Sequence, residues 1–317
     1  MPSARTYHHW SCPLLLLGVI VCLMTACAGL KTTELPAGSE NLPPVLEIEA
    51  VPFFPQSKYQ CGPSALAMAL TYSDLPITPE ALQSQVYTPS RKGSLQMAMI
   101  GATRRHGRIA YTIENFNLIW PEVAAGHPVI ILQNLGLSWI PVWHYAVVVG
   151  YDFVEQTVIL RSGTTERKLM SLKIFEKTWS RSNYWGLIVL KPDQLPAIAT
   201  EKDYLTAVLG LEKARQFHAA VEGYNAALAR WPRSLVACMG LGNSLYALGD
   251  LPGAENAFRR AVNNHPRAAG AHNNLAQVLY EQGRQQEALE AAKRAVAIGG
   301  PMREIYESTL NSIQQKN

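Results

Sequence analysis

The stretch Gln60-Cys61-Gly62-Pro63-Ser64-Ala65-Leu66-Ala67-Met68 gives the first indication of the fold of this 317-residue protein. Pro63 suits the first turn of a helix, because the N–H group that proline lacks would have no partner there. The apolar residues after it recur at helical spacing, so we predict a helix that begins beside Cys61. The partial positive charge at a helix start favours the thiolate, which is the nucleophilic form of cysteine. Cys61 is therefore a candidate nucleophile.

A second stretch supplies an imidazole. His144 precedes the apolar run Tyr145-Ala146-Val147-Val148-Val149-Gly150-Tyr151, which predicts a buried strand with His144 near its start. A lone histidine in an apolar strand is more often a structural residue than a catalyst. Together with Cys61, however, His144 forms the pairing in which an imidazole takes a thiol proton and later returns it to a leaving amine. The sequence thus predicts a thiol nucleophile with a histidine base.

Gln56 lies five residues before Cys61 and is a candidate oxyanion donor. A side-chain amide close to the backbone N–H of Cys61 would stabilise the oxyanion of a tetrahedral intermediate, which is often worth about 3 kcal/mol per donor. Gln60 is the alternative for this role, although its position next to Cys61 favours a side chain that points away. Trp139 and Trp143 precede His144, and Tyr145 follows it. These three aromatic residues could line a peptide cleft, but we expect at least two of them to fill the core.

The pattern of elements indicates an α+β domain. Helical spacing is found first, and strand-like apolar runs follow it, which favours helices packed on an antiparallel sheet. The predicted helices cover residues 63–72, 79–86, 95–106 and 118–125, with a helical patch near Phe175, and the predicted strands cover residues 128–133, 145–151, 158–161 and 185–190.

The Gln-Cys-Gly-Pro stretch and the His144 strand together resemble the papain-like cysteine peptidases of the thirty-ninth family, known for cutting leader peptides after double glycine. The resemblance implies a peptidase domain over residues 50–196, with Gln56 as oxyanion donor, Cys61 as nucleophile and His144 as base. Members usually place an Asp after the histidine strand to orient the imidazole. Here Ser162 is nearest to that place and is the candidate for orienting the imidazole, with a backbone carbonyl as the alternative. Asp152 is expected to cap the strand turn instead.

The C-terminal third repeats itself every 34 residues, as the spacing of Leu211, Leu245 and Leu279 illustrates. This period is that of a helix-turn-helix repeat, and it resembles tetratricopeptide repeats over residues 203–317 in three units. Such arrays form an α-helical superhelix whose concave groove binds a peptide or a protein partner. The alternative is that the repeats only brace the preceding domain. Cys238, within one of the helices, is expected to be a small buried hydrophobe.

The N-terminal residues predict export. Residues 1–26 are typical of a signal peptide, and Leu23-Met24-Thr25-Ala26-Cys27 resembles the bacterial lipoprotein box, which implies lipidation of Cys27. Ala28 after the cysteine resembles lipoproteins of the outer membrane, here facing the periplasm, so the membrane is a predicted partner through the lipid. Residues 27–49 read as a flexible tether. The alternative is an uncleaved N-terminal anchor.

Composition and residue spacing argue against several classes of function. The 28 Lys and Arg residues are interspersed with 24 Asp and Glu residues, so no basic stripe favours nucleic acid as a partner. No spacing typical of metal ligands or of a phosphate-binding loop is present, and no cofactor is predicted. The sequence therefore predicts a lipid-anchored cysteine peptidase that acts on peptides or proteins. A non-catalytic peptide-binding lipoprotein and an acyl transferase on the same scaffold are the alternatives.

Overall fold

The computed structural model describes residues 36–57 and 59–315. The predicted signal peptide, the lipidation site Cys27 and the tether up to residue 35 lie outside the described residues. Within the described ranges, none of the helices combines the length and the apolar character that a membrane span needs.

The first part of the chain, residues 45–190, is built around one antiparallel sheet, and we call it the sheet domain. Its strands are β1 Val45–Glu47, β4 Ile109–Ile113, β5 Val129–Asn134, β6 Trp143–Asp152, β7 Thr157–Ser162, β8 Thr165–Ser171 and β9 Gly186–Leu190, and the short pair β2 Tyr87–Thr88 and β3 Gly93–Ser94 forms a separate hairpin. The sheet order is β4-β9-β5-β6-β7-β8, and β1 pairs with the end of β6.

Among the described residues of the sheet domain, five α-helices pack around this sheet, and the predicted α+β class is confirmed. They are α1 Cys61–Tyr72, α2 Pro79–Val86, α3 Gln96–Arg105, α4 Ile119–Ala124 and α5 Leu172–Trp179. Residues 65–70 of α1 are almost fully buried, because this apolar helix lies against the central strands. The burial of α1 fixes Cys61 at the edge of the core.

The structure differs from the sequence prediction at several strands. β1 lies within the segment predicted to be a tether, and the adjoining Ile48 is buried, so that prediction is wrong for residues 45–48. β4 lies between two helices, so the predicted order of helices first and sheet second is also wrong. β8 was not predicted because most of its side chains are exposed and polar, which leaves no apolar alternation to detect.

Residues 201–315 form the repeat array. It contains α6 Glu201–Lys213, α7 Phe217–Arg230, α8 Leu235–Ala247, α9 Leu251–Asn264, α10 Ala269–Glu281, α11 Gln285–Ile298 and α12 Arg303–Gln315. Ala220, Ala254 and Ala288, which share the 34-residue spacing, are fully buried where the helices approach each other. The three predicted helix pairs are followed by one further helix, α12, which the sequence analysis did not separate from the third unit.

The array packs directly on the sheet domain. One apolar core includes residues of both parts, from Ile48 to Ala271. The Gln216 side chain donates to the carbonyl of Arg105 (2.9 Å), and the Tyr204 hydroxyl donates to the carbonyl of Pro192 (3.2 Å). The first repeat therefore braces the sheet domain, which agrees with one of the two roles expected for the array.

Candidate active site

The four residues predicted to act together meet at one open cleft of about 940 Å³ at the ends of α1, β6 and β7. Gln56, Cys61 and His144 line the cleft, and Ser162 lies behind His144. Gln56 and Cys61 are close in sequence, but His144 and Ser162 come more than 80 residues later, so the fold rather than local sequence brings the two pairs together.

Cys61 is the first residue of α1, and its side chain is half-buried in the cleft. Gly62 allows this placement, since a Cβ atom there would overlap the side chain of Ser94. Burial raises the pKa of the Cys61 thiol, and hydrogen bonding from the backbone of Tyr145, Gly62 and Cys61 itself opposes that rise. The effect of desolvation on the thiol pKa is therefore larger than the opposing effect of the helix start, and Cys61 rests as the protonated thiol.

His144 lies near the start of β6, with its Nε2 atom 2.9 Å from the hydroxyl of Ser162. This contact leaves Nδ1 as the ring nitrogen available to the cleft. Burial, together with the nearby Lys168 ammonium group, lowers the pKa of His144 to about 4. The imidazole is thus neutral near pH 7, which is the form that a general base requires.

Ser162 differs chemically from the carboxylate that usually orients such a histidine. A carboxylate only accepts hydrogen bonds, so it fixes the proton on the nitrogen that it contacts. A serine hydroxyl both donates and accepts, so it holds the His144 ring without selecting one tautomer. Only the tautomer with its proton on Nε2 leaves Nδ1 free to accept the thiol proton.

Among the described residues, no hydrogen bond joins the Cys61 thiol to the His144 ring. The link between the two is the backbone of Tyr145, which hydrogen-bonds the Cys61 sulfur and directly follows His144. Catalytic hydrogen bonds are often long in a free enzyme and tighten when the substrate is bound. The site therefore presents two neutral groups in one cleft rather than a preformed ion pair.

Gln56 connects the ends of two strands. Its side-chain nitrogen donates to the carbonyl of Tyr145 (3.4 Å), and its side-chain oxygen accepts from the backbone N–H of Gly163 (3.1 Å). The backbone N–H of Gln56 also donates to the Gly163 carbonyl (2.9 Å). These bonds hold the amide in the cleft beside Cys61, and its second N–H remains for an oxyanion. Gln60 is not among the residues that line the cleft.

Arg161 is a supporting residue that the sequence analysis missed. It is only 4% exposed, and its guanidinium donates to the carbonyls of Val51 (3.4 Å), Glu49 (3.4 Å) and Glu166 (3.0 Å). These bonds fasten the segment before Gln56 to the strand that carries Ser162. A charged residue at the end of the apolar run 158–160 is the signal that could have revealed it.

The aromatic residues near His144 differ from the prediction, whereas Asp152 agrees with it. Trp139 and Trp143 are exposed (75% and 49%), so the expectation that at least two of the three aromatic residues fill the core is wrong; only Tyr145 is buried. Trp143 lines the cleft, whereas Trp139 does not. Asp152 accepts from the backbone N–H of Glu155 (2.8 Å), so its predicted role at the strand turn is confirmed.

Other titratable groups have structural roles. Cys238 is fully buried, as predicted. The buried Glu122 carboxylate contacts Nδ1 of His127 (2.7 Å) and accepts from the backbone N–H of Ile198 (2.8 Å), which fixes the connection between the sheet domain and the array. In residues 36–57 and 59–315, no cluster of three or more His, Cys, Asp or Glu side chains could hold a metal ion.

Comparison with known families gives a match for each part of the chain. Residues 48–186 match the Peptidase_C39 like family, and residues 205–254 and 239–302 match the tetratricopeptide repeat family. The chain therefore combines a Peptidase_C39-like domain with tetratricopeptide repeats, that is, a peptidase-like fold joined to a class of repeat that binds peptides or proteins. None of the curated proteins matches it.

Among solved structures, a C39-like peptidase candidate from Bacillus anthracis is 18% identical, with 46% of this chain and 98% of that chain covered and a TM-score of 0.40. The type III secretion chaperone SycD of Yersinia enterocolitica, in complex with a peptide of the translocator YopD, is 16% identical over 38% of this chain and 97% of that chain (TM-score 0.35). The TPR2B domain of yeast Sti1 is 16% identical over 37% and 98% (TM-score 0.36).

Proposed function

We propose that this protein is an exported, lipid-anchored cysteine peptidase in which the sheet domain cleaves peptide bonds and the repeat array binds a peptide or a protein partner. The observation that carries the proposal is the contact between His144 Nε2 and Ser162 (2.9 Å) in a cleft that also exposes Cys61 at a helix start. The Peptidase_C39 like match over the same residues supports it.

In the proposed reaction, the Cys61 sulfur attacks the peptide carbonyl carbon while its proton passes to Nδ1 of His144. The carbonyl oxygen becomes an oxyanion, stabilised by the Gln56 amide and the backbone N–H of Cys61. The C–N bond then breaks, and His144 returns the proton to the leaving amine, which leaves a thioester on Cys61. Water attacks the thioester with His144 as base, and the carboxylic acid and the thiol are released.

The test is selective labelling of the full chain at pH 7 with a thiol-directed epoxide of the papain-inhibitor class, followed by peptide mass mapping. We expect modification at Cys61 and none at the buried Cys238, which serves as an internal control. A His144→Ala variant should lose the labelling by about a hundredfold, since general-base catalysis contributes 10²–10⁴-fold. Equal labelling of Cys61 in this variant would remove His144 from the mechanism.

Cleavage gives the second readout. Cys61→Ala should abolish cleavage of any peptide that the native chain cuts, whereas Cys238→Ala should keep it. Both substitutions remove one thiol, so a difference between them isolates the cleft. Cleavage that persists in Cys61→Ala would assign the reaction to another group.

A second candidate, a non-catalytic peptide-binding lipoprotein, is favoured by the resting state of the pair. Burial raises the pKa of the Cys61 thiol and lowers that of His144, and Ser162 supplies no carboxylate to reverse either shift. Such a protein would bind peptides equally well before and after Cys61→Ala and would resist the epoxide. The labelling experiment therefore separates the two candidates.

The anchor and the location complete the proposal. The lipoprotein-like stretch that ends in Cys27 supports attachment to the bacterial outer membrane, with the folded part in the periplasm. Incorporation of labelled palmitate into the chain, and its loss in Cys27→Ser, would test the attachment. Fractionation of inner and outer membranes would test the location.

A further inference from the structure

The cleft has an uneven distribution of charge. Three basic side chains line it, Arg91 and Lys92 from the β2–β3 hairpin and Arg181 from the short helical turn after α5. No Asp or Glu is found among the described residues that line it. Lys168 adds a further positive charge, close enough to His144 to lower the pKa of its imidazole. The cleft therefore presents a positive potential to whatever enters it.

Two of these cations are available to a ligand. Arg91 and Lys92 are exposed, and neither side chain forms a hydrogen bond or an ion pair with another described residue. Arg181 differs, because its guanidinium donates to the backbone carbonyls of Asn134 (2.9 Å) and Gly136 and so holds the loop between β5 and β6. Charge selection is thus expected from the Arg91–Lys92 pair, whereas Arg181 shapes the wall.

The loop that Arg181 holds gives the cleft an apolar wall. Pro141, Val142 and Trp143 line the cleft, although Val142 is 55% and Trp143 is 49% exposed. Backbone hydrogen bonds from Leu135 to Val142 (2.9 Å) and from Leu137 to Ile140 (3.1 Å) keep the loop in a hairpin. An apolar surface that is held rigid and left open beside a reactive cleft is typical of a ligand-binding site.

We propose that the cleft selects peptides that carry an acidic side chain within a few residues of a large apolar one. The carboxylate contacts Arg91 and Lys92, and the apolar side chain packs on Val142 and Trp143. This inference rests on the proposed function, since it names the substrate class of the same cleft. It does not require cleavage, because charge and shape act on binding before any bond is broken.

The experiment measures binding to the full chain with the Cys61→Ala substitution, which prevents turnover. Three fluorescein-labelled nonapeptides share the same apolar residues and differ at two positions, which are both Glu, both Gln or both Lys. At low salt we expect the Glu peptide to bind about tenfold more tightly than the Lys peptide, since Arg91 and Lys92 attract its carboxylates and repel the ammonium groups of the Lys peptide. The ratio should shrink at high salt because screening weakens exposed pairs.

Matched charge reversals locate the effect. Arg91→Glu with Lys92→Glu should abolish or invert the preference for the Glu peptide. Lys293→Glu with Arg294→Glu changes the net charge by the same amount at an adjacent, exposed pair on α11 and should leave the preference unchanged. Trp143→Ser should weaken all three peptides about equally, by about tenfold, since it removes the apolar surface on which their shared apolar side chains pack.

Each other outcome contradicts the inference. Equal affinities for the three peptides, or a preference that only the α11 reversal removes, would show that the cleft does not select charge. The result stays separate from the proposed function, which the epoxide labelling of Cys61 in the native chain tests. Labelled Cys61 without charge selection would overturn only this inference, and charge selection without labelling would overturn only the peptidase.

Discussion

The sheet domain and the repeat array reach their structures by different kinds of contact. In the sheet domain, single polar contacts join distant residues, such as Gln56 with Tyr145 and with Gly163, which are 89 and 107 positions apart. In the array, equivalent short-range contacts recur in successive repeats, such as the backbone hydrogen bonds from Asp250 to Leu245 and from Arg284 to Leu279. A substitution in the sheet domain therefore removes a contact that exists once, whereas the array distributes its contacts over several copies.

The largest effect is expected where one hydroxyl orients one imidazole. Ser162→Asp places a carboxylate beside His144, which raises the pKa of the imidazole from about 4 and favours an imidazolium–thiolate pair. We expect iodoacetamide to modify Cys61 about a hundredfold faster at pH 6 in this variant than in the native chain. In the native chain, whose Cys61 pKa is raised, the rate should climb about tenfold per pH unit between pH 6 and 9.

Ser182→Asp is the matched control, since Ser182 also lines the cleft but bonds the carbonyl of Trp179 (2.8 Å) rather than His144. It should leave the pH profile of the native chain nearly unchanged. A native profile that is already flat between pH 6 and 9 would contradict the neutral pair.

The lowered pKa of His144 also predicts how stability depends on pH. Below about pH 6.5 the unfolded histidine binds a proton, whereas buried His144 does not, so the free energy of unfolding should decrease as the pH falls towards 4.

The next largest effect is expected at the connection between the sheet domain and the repeat array. Glu122→Ala leaves the backbone N–H of Ile198 and the ring of His127 without their buried partner. We expect the free energy of unfolding to fall by about 2–4 kcal/mol, measured by urea denaturation. Glu122→Gln keeps an oxygen for Ile198 and should cost less than half as much. An equal loss in both variants would show that the charge, rather than the acceptor for Ile198, makes the contact.

The sequence predicted most of the helices and the central strands, because apolar spacing records burial directly. It also predicted the 34-residue repeat from the spacing of Leu211, Leu245 and Leu279. Gly249 and Gly283 follow the same spacing, and the structure places them at positive-φ positions after α8 and α10 (φ +81° and +77°). It could not predict β8, whose exposed side chains follow no period, or β1, whose three residues are too few for a pattern.

For the site, residue types and spacing sufficed to propose Cys61, His144 and Gln56, whereas Ser162 was proposed from the family resemblance. The fold brings the first three to one cleft and places Ser162 against His144. The protonation state of the Cys61 thiol could not be predicted from the residue types. A helix start predicts a lowered thiol pKa, but burial, which depends on the whole fold, raises it. The basic pair Arg91–Lys92 was missed for a similar reason, because only the folded β2–β3 hairpin brings it to the cleft.

The smallest effect on stability is expected at a turn residue in which the first repeat differs from the other two. Arg215 occupies the place of Gly249 and Gly283, with φ +59°, and the turn makes the same hydrogen bonds in each repeat, such as from Gln216 to Leu211, from Asp250 to Leu245 and from Arg284 to Leu279. A side chain in this conformation costs about 1 kcal/mol relative to glycine. Arg215→Gly should therefore raise the free energy of unfolding by about 0.5–1 kcal/mol, and Gly249→Ala should lower it by about 1 kcal/mol. Urea denaturation of both variants beside the native chain measures the pair, and a loss of stability in Arg215→Gly would mean that the exposed arginine has a contact in solution that outweighs the backbone strain.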